Sequence, residues 1–154
     1  MTSATYNGNL GGLAGADAKC DERAAEAGWP GTYRAWLSDS TYSPSTRFVR
    51  NPGPYQLVNG TTIATNWADL TDATLAAAIN VTEKGDAAAP DFVWSNTKPD
   101  GGGAGNVHCQ NWTSQLSMPH WGATGSSSST DAFWTEGSFA VCSSPCYLYC
   151  FQQS

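Results

Sequence analysis

The sequence predicts a mixed α+β fold with few short helices, several short strands and much irregular chain. Three observations predict it. An alanine-bearing helical stretch opens the chain and runs into an alternating strand. A hairpin signal lies near the middle. Short apolar segments that carry cysteines close the chain.

Ala16, Cys20, Ala24 and Ala27 share one face at the 3.6-residue period, while Lys19, Glu22, Arg23 and Glu26 point elsewhere. Gly28 is placed to end the helix in the left-handed conformation, and Pro30 bars its continuation. Tyr33, Ala35 and Leu37 then alternate with Arg34, Trp36 and Ser38, which predicts a strand. The small-residue helix face can sit close against a sheet. Cys20 lies in the middle of that face, and its best partner is a cysteine far along the chain.

Residues 1–10 read as a lead-in or first strand, with Tyr6 and Leu10 able to pack. The stretch from Asp39 to Gln56 reads as loop, with a short strand over Arg47–Arg50. Tyr55–Val58 and Thr61–Ala64 flank Asn59-Gly60, a pair suited to both left-handed positions of a type I′ hairpin turn. Asn66 can cap a helical turn that carries Trp67 and Leu70. Phe92–Trp94 is a short strand. Ser95 to His108 is a loop with four glycines between Gly101 and Gly105. Thr113 to Asp131 reads as a second long surface loop, with Pro119, Gly122, Gly125 and a serine run. Phe133-Trp134, Ser138–Cys142 and Tyr147–Phe151 are the expected closing strands. Too little chain follows the serine run for a second domain, so residues 1–154 are expected to form one.

Composition bounds the function. The chain has seven Lys+Arg and a net charge of −6. Nucleic-acid binding needs clustered cations to displace phosphate counterions, and no such cluster exists. Anionic membranes and sulfated polysaccharides are disfavoured for the same reason. No apolar run approaches the length of a membrane-spanning helix, so no membrane insertion is expected. The polar start Met1–Thr5 does not read as a signal peptide and suits a mature domain with an added Met, or a cytosolic protein. Five cysteines and a surface made polar by Ser, Thr, Asn, Gln and Gly predict an extracellular or periplasmic domain with disulfides. The zinc spacing Cys-x-x-Cys is absent.

Gly15-Ala16-Asp17-Ala18-Lys19-Cys20, Gly31–Ser38, Val93-Trp94, Cys109-Gln110-Asn111-Trp112 and Cys142…Tyr147-Leu148-Tyr149-Cys150 carry a resemblance. The chain resembles the endostatin-like branch of the C-type-lectin-like fold. It resembles more closely still a bacterial family of unknown function, found in secreted proteins and surface lipoproteins. The likeness covers about residues 6–151 and is weak over residues 39–90. It implies a cysteine pairing of outer with outer and inner with inner, Cys20–Cys150 and Cys109–Cys142. Each bridge would contribute about 3–5 kcal/mol on a chain-entropy reckoning. Cys146 is left over, and burial as a small apolar residue is its preferred reading, ahead of an intermolecular bridge. Endostatin-like zinc binding uses N-terminal histidines, and heparin binding uses an arginine cluster. This chain has neither.

Calcium-dependent sugar binding is the best-known activity of the wider fold. Lys98-Pro99-Asp100 and Trp134-Thr135-Glu136 stand where its signatures would lie, and Asp100, Asn106, Asp131 and Glu136 offer oxygens. Asp100 and Glu136 are the candidate calcium ligands, although Lys98 replaces the first expected oxygen donor and the set is short of the six to eight oxygens that calcium takes. No other cofactor is expected. Seven tryptophans are many for this length. Trp36, Trp67, Trp94 and Trp112 are expected in the core, and Trp121 is expected to be exposed. A Cys146 nucleophile served by His108 or His120 has no supporting sequence context, and no enzymatic activity is expected. The expected function is a recognition or adhesion module that binds a surface glycan or protein through the 95–108 and 113–136 loops. Its ligand-binding residues are Trp121, His120, Asp100, Asn106, Gln115 and Glu136. The alternative is a structural or self-assembling module of a larger surface protein or fibre, in which case an oligomer is expected.

Overall fold

The computed structural model describes residues 1–154. It is a small α+β arrangement of short elements. Helix α1 spans Gly12–Glu26, β1 Tyr33–Ala35, α2 Pro44–Arg47, β2 Tyr55–Gln56, β3 Thr62–Ala64, α3 Trp67–Leu70, β4 Phe92–Trp94, β5 Trp121–Ser126, β6 Ser138–Val141 and β7 Cys150–Gln152. The strands form an antiparallel β1–β7 ribbon, the β2–β3 hairpin and an antiparallel sheet in the order β4-β5-β6.

Helix α1 buries Leu13, Ala16, Cys20 and Ala24, and Gly28 follows it with φ 80°. The same helix caps the outer edge of β1. Asp21 Oδ1 accepts from Tyr33 N–H at 2.7 Å and Asp17 Oδ1 from Ala35 N–H at 2.9 Å. Arg47 closes this corner with two bonds to the Asp17 carboxylate (2.7 and 3.0 Å) and one to Ala35 O. Both disulfides, Cys20–Cys150 and Cys109–Cys142, are present. The first ties α1 to β7, across the ribbon from β1.

Several expectations are corrected. The alternation over residues 33–38 stops at Ala35, because Ala35, Trp36, Leu37 and Ser38 are all buried in succession. Arg47 belongs to the helical turn α2, whose first position is Pro44; the fixed φ of proline favours a helix start there over a strand. The 55–64 hairpin forms, but with a three-residue loop. Gly60 N–H donates to Leu57 O, Leu57 N–H donates to Thr61 O, and of Asn59 and Gly60 only Gly60 has positive φ. A type I′ turn would need both. Phe133-Trp134 lies in a 3₁₀ turn, Ala132–Trp134, rather than a strand. The last strand is only Cys150–Gln152.

The largest correction concerns the second loop. Residues 121–126 form β5, the central strand of the three-stranded sheet. Its glycines are required by packing. A Cβ on Gly122 would lie 2.6 Å from the Trp94 ring and 2.9 Å from Cys109 Sγ. One on Gly125 would run into the carbonyl of Trp134. The residues that suggest a loop are those that let a strand pass between an indole, a disulfide and a backbone.

The core has two clusters. One gathers Leu10, Leu13, Cys20, Trp94, Trp112 and Leu148; the other gathers Trp36, Phe48, Leu70, Trp134, Tyr149 and Phe151. Trp36, Trp94 and Trp112 are fully buried as expected, while Trp67 is half-buried. A buried polar network lies between the clusters. Trp36 Nε1 donates to Thr135 Oγ1 (2.7 Å), Thr135 Oγ1 donates to Thr97 O (2.8 Å), and Ser95 Oγ lies 2.7 Å from Thr135 Oγ1. Ser38 Oγ lies 2.8 Å from Thr97 Oγ1, and Trp112 Nε1 donates to Ser38 O at 2.8 Å.

Thr135→Val keeps the shape but leaves the Trp36 N–H and the Ser95 hydroxyl short of a partner. Its expected cost is about 2 kcal/mol, the scale of one unsatisfied buried polar group. Urea unfolding checks it as a lowered midpoint with an unchanged slope. A midpoint equal to the parent's would show that the network does not hold the clusters together.

Candidate functional site

The first long loop and the β5–β6 region meet at a cavity of about 180 Å³. Asn96, Thr97 and Val107 line it from the loop, and Thr124, Glu136 and Phe139 line it from the other side. The polar network just described underlies it, so several of its walls are held by buried hydrogen bonds. Asn96 is buried and spends its amide N–H groups on Gly105 O (2.9 Å) and Ser38 O (3.3 Å), which leaves its Oδ1 as an acceptor without a protein donor. Thr124 is fully buried, and its hydroxyl has no partner. The Glu136 carboxylate is exposed and makes no ion pair.

Phe139 forms the apolar wall and is 59% exposed. It stands opposite Ala123 in the sheet, as Val141 stands opposite Trp121. Phe139 and Trp121 are therefore diagonal neighbours on one face, where cross-strand side chains of this size reach one another. Trp121 is 41% exposed, as expected, but it begins a strand instead of riding on a loop. The cavity is smaller than the roughly 300–1,000 Å³ of most small-molecule pockets. With the aromatic face beside it, its size suits one end of a larger ligand.

The expected site residues separate into groups. Glu136 lines the cavity. Trp121 adjoins it through the sheet. His120 Nδ1 lies 3.3 Å from Gln110 Nε2, and Gln115 Oε1 accepts from Asn7 Nδ2 at 3.2 Å, so each has a local partner outside the cavity. Asp100 Oδ1 accepts from Gly102 N–H at 2.8 Å and shapes its own turn. Asn106 is exposed, and like Asp100 it is not among the lining residues. Nowhere do three acidic, histidine or cysteine side chains gather as metal ligands. Of Asp100 and Glu136 only Glu136 borders the cavity, and no role is derived through calcium.

Sequence reasoning missed Asn96, Thr124, Ser138 and Phe139. The signal available was the run Glu136-Gly137-Ser138-Phe139, an acid, a hydroxyl and an aromatic ring leading into a cysteine strand. Asn96 and Thr124 carried no signal, because only pairing across the sheet brings them to the cavity.

After the first long loop the chain makes a left-handed turn. Cys109, Gln110, Asn111 and Trp112 have φ from 48° to 62°. Such backbone costs L-residues about 1–2 kcal/mol each. The turn is held by the Cys109–Cys142 bridge, by Asn111 N–H donating to His108 Nδ1 at 2.8 Å, and by Ser40 N–H donating to Asn111 Oδ1 at 2.9 Å. With Trp112 N–H donating to His108 O at 2.7 Å, these fixed contacts keep a run of four such residues in place.

These features define a small α+β domain stapled by two disulfides. A family model described as a protein of unknown function (DUF1554) matches residues 3–130, and the chain belongs to that family. No curated protein matches the chain. No helix is long and apolar enough to cross a membrane.

Cys146 is buried and unpaired, as preferred from the sequence. Burial, and secondarily the Asp91 carboxylate, pushes its thiol up to about 12. A thiolate nucleophile needs the opposite shift. Ellman's reagent at mildly alkaline pH is expected to find no reactive thiol in the oxidised folded chain and one per chain in denaturant. Native-state labelling at a rate near that of a free thiol would contradict the burial.

Proposed function

We propose that residues 1–154 form one extracytoplasmic recognition or adhesion domain, of the endostatin-like branch of the C-type-lectin-like fold, that binds a surface glycan or protein without enzymatic action. The observation that carries this reading is the cavity where the first long loop meets β5 and β6. It combines a free amide oxygen on Asn96, an unpaired Glu136 carboxylate, the Ser138 hydroxyl and the exposed ring of Phe139, with the exposed Trp121 beside it on the sheet. Hydroxyl-rich ligands present donors to such acceptors, and the apolar faces of sugar rings stack on aromatic side chains. The few short helices, the antiparallel strands and the outer-with-outer, inner-with-inner disulfides support the fold reading. The two disulfides also support an oxidising compartment.

The self-assembling alternative is favoured by one observation. Strand β6 is an outer strand of its sheet. Cys142 N–H donates to His120 O, so the antiparallel pattern turns the backbone groups of Phe139 away from β5, and no partner meets them. Exposed edges of this kind invite pairing between copies.

A glycan array of the oxidised domain, run with calcium and with EDTA, tests the reading. Binding indifferent to EDTA is expected, since Asp100 is not among the residues that line the cavity with Glu136. Phe139→Ala should weaken it about fivefold, the effect of roughly 1 kcal/mol of aromatic contact. Glu136→Gln should weaken it further. Hits unmoved by both changes, or no hits from a folded sample, would sink the glycan reading. Sedimentation that depends on concentration and is abolished by Phe139→Lys would favour self-assembly instead.

A further inference from the structure

A second cavity lies away from the loops, between the β1–β7 ribbon and the β2–β3 hairpin. Its volume is about 410 Å³, within the range of ligand-binding pockets. Its walls include Tyr55, Gln56 and Val58 on the hairpin side and Cys150, Phe151 and Gln152 of β7 on the other. Trp29 closes one end, with its indole N–H donating to Glu83 O at 2.7 Å. The Tyr55 and Phe151 rings meet at 6.0 Å.

The backbone of β7 gives this cavity a specific chemistry. Gln153 N–H donates to Thr32 O, and Trp36 N–H donates to Tyr149 O. In the alternating antiparallel pattern, Phe151 is then the residue of β7 that bonds β1, and Cys150 and Gln152 point their N–H and C=O groups outward. No hydrogen bond from outside the ribbon reaches either residue's backbone. Cys150 is half-buried and Gln152 exposed, so a partner can approach. On the opposite wall, Gln56 pairs with Thr62 next to a register shift of the hairpin. The far edge of the ribbon differs: there Asp17 and Asp21 satisfy the β1 N–H groups. Of the two edges of the ribbon, only that of β7 is left open, and it is open over a cavity.

We propose that this groove binds an extended, uncharged polypeptide segment of a partner by adding it as a strand to β7. Two observations select that occupant. Unpaired backbone donors and acceptors at alternate residues match the repeat of another strand, the mode in which main-chain bonds give affinity and flanking pockets read side chains. Charge selects the rest. None of the lining side chains is charged, although the chain carries 13 acidic and seven basic residues, and the α-amino group of the lining residue Met1 is buried and donates to Val81 O at 3.0 Å. A charged residue sunk there would lose hydration without gaining a partner. This inference is independent of the glycan reading, since the two cavities share no residue.

Panning a phage-displayed random heptapeptide library against the oxidised chain tests it, with Val58→Arg as the control. Val58 is partly exposed at the rim, so a guanidinium there blocks the groove without entering the core. Sequences uncharged at their central positions are expected to enrich on the parent and at least tenfold less on the control. A synthetic consensus peptide should slow amide exchange at Cys150 and Gln152. Methylating its alternate backbone nitrogens should weaken it at least tenfold with its side chains unchanged. The proposal is overturned if nothing enriches over the control, if N-methylated peptides bind as well, or if protection falls on β6 instead. Binding of cellohexaose in this groove, with no peptide enriched, overturns it as well. Loss of glycan binding at Phe139 would leave these outcomes unaffected, so the two readings fail separately.

Discussion

Each tryptophan buried in this domain carries an indole N–H that loses water on folding, and the need to find it an acceptor orders much of the irregular chain. Trp36 uses the Thr135 hydroxyl, Trp94 the carbonyl of Tyr6, and Trp112 the carbonyl of Ser38. None of these acceptors lies in a strand or helix. An indole buried without an acceptor costs about 1–3 kcal/mol, a large share of a small domain's stability. The segments that carry the acceptors are therefore fixed as firmly as the sheet. Trp134 is the exception, since its N–H has no partner. Because Thr135 and Thr97 also line the first cavity, the same requirement gives that cavity preformed walls.

The regular structure is too sparse to hold itself. Ribbons of two strands and a sheet of three, each a few residues long, are marginal alone. The covalent and ionic ties make up the difference. Cys20–Cys150 and the Asp17–Arg47 pair fix α1, β1, α2 and β7 at one corner, and Cys109–Cys142 fixes the left-handed turn against the chain beyond β6. Such a scaffold can carry long irregular segments in one conformation. It also leaves strand edges open, at β6 and at β7, because so few strands are available to cover them.

Much of this was legible along the chain. The small face of α1, its end at Gly28, the capping of α3 by Asn66 and the strand Phe92–Trp94 follow from local spacing and local chemistry. The exposed Trp121, the buried Trp36, Trp94 and Trp112, and the buried Cys146 follow from their surroundings in sequence. The disulfide pairing came from resemblance and is the pairing present. The middle strand β5 was not legible. Its glycines and serines look like a loop until Trp94, Cys109 and the Trp134 carbonyl are seen pressing on it. The left-handed turn at 109–112 was equally hidden, since none of its residues is glycine.

The candidate site divides along the same line. The sequence by itself determined which residue types were available: Glu136 beside an aromatic strand, tryptophans in excess, and too few charges for nucleic acid. Tertiary structure alone decided which of them meet. It drew Asn96 and Thr124 to Glu136 and Phe139, and left Asp100, Gln115 and His120 with partners of their own. The physical reason is range. Helix ends, caps and turns depend on neighbours a few residues away, whereas a cavity depends on sheet register, and register is set by burial and by bonds between strands far apart in the chain.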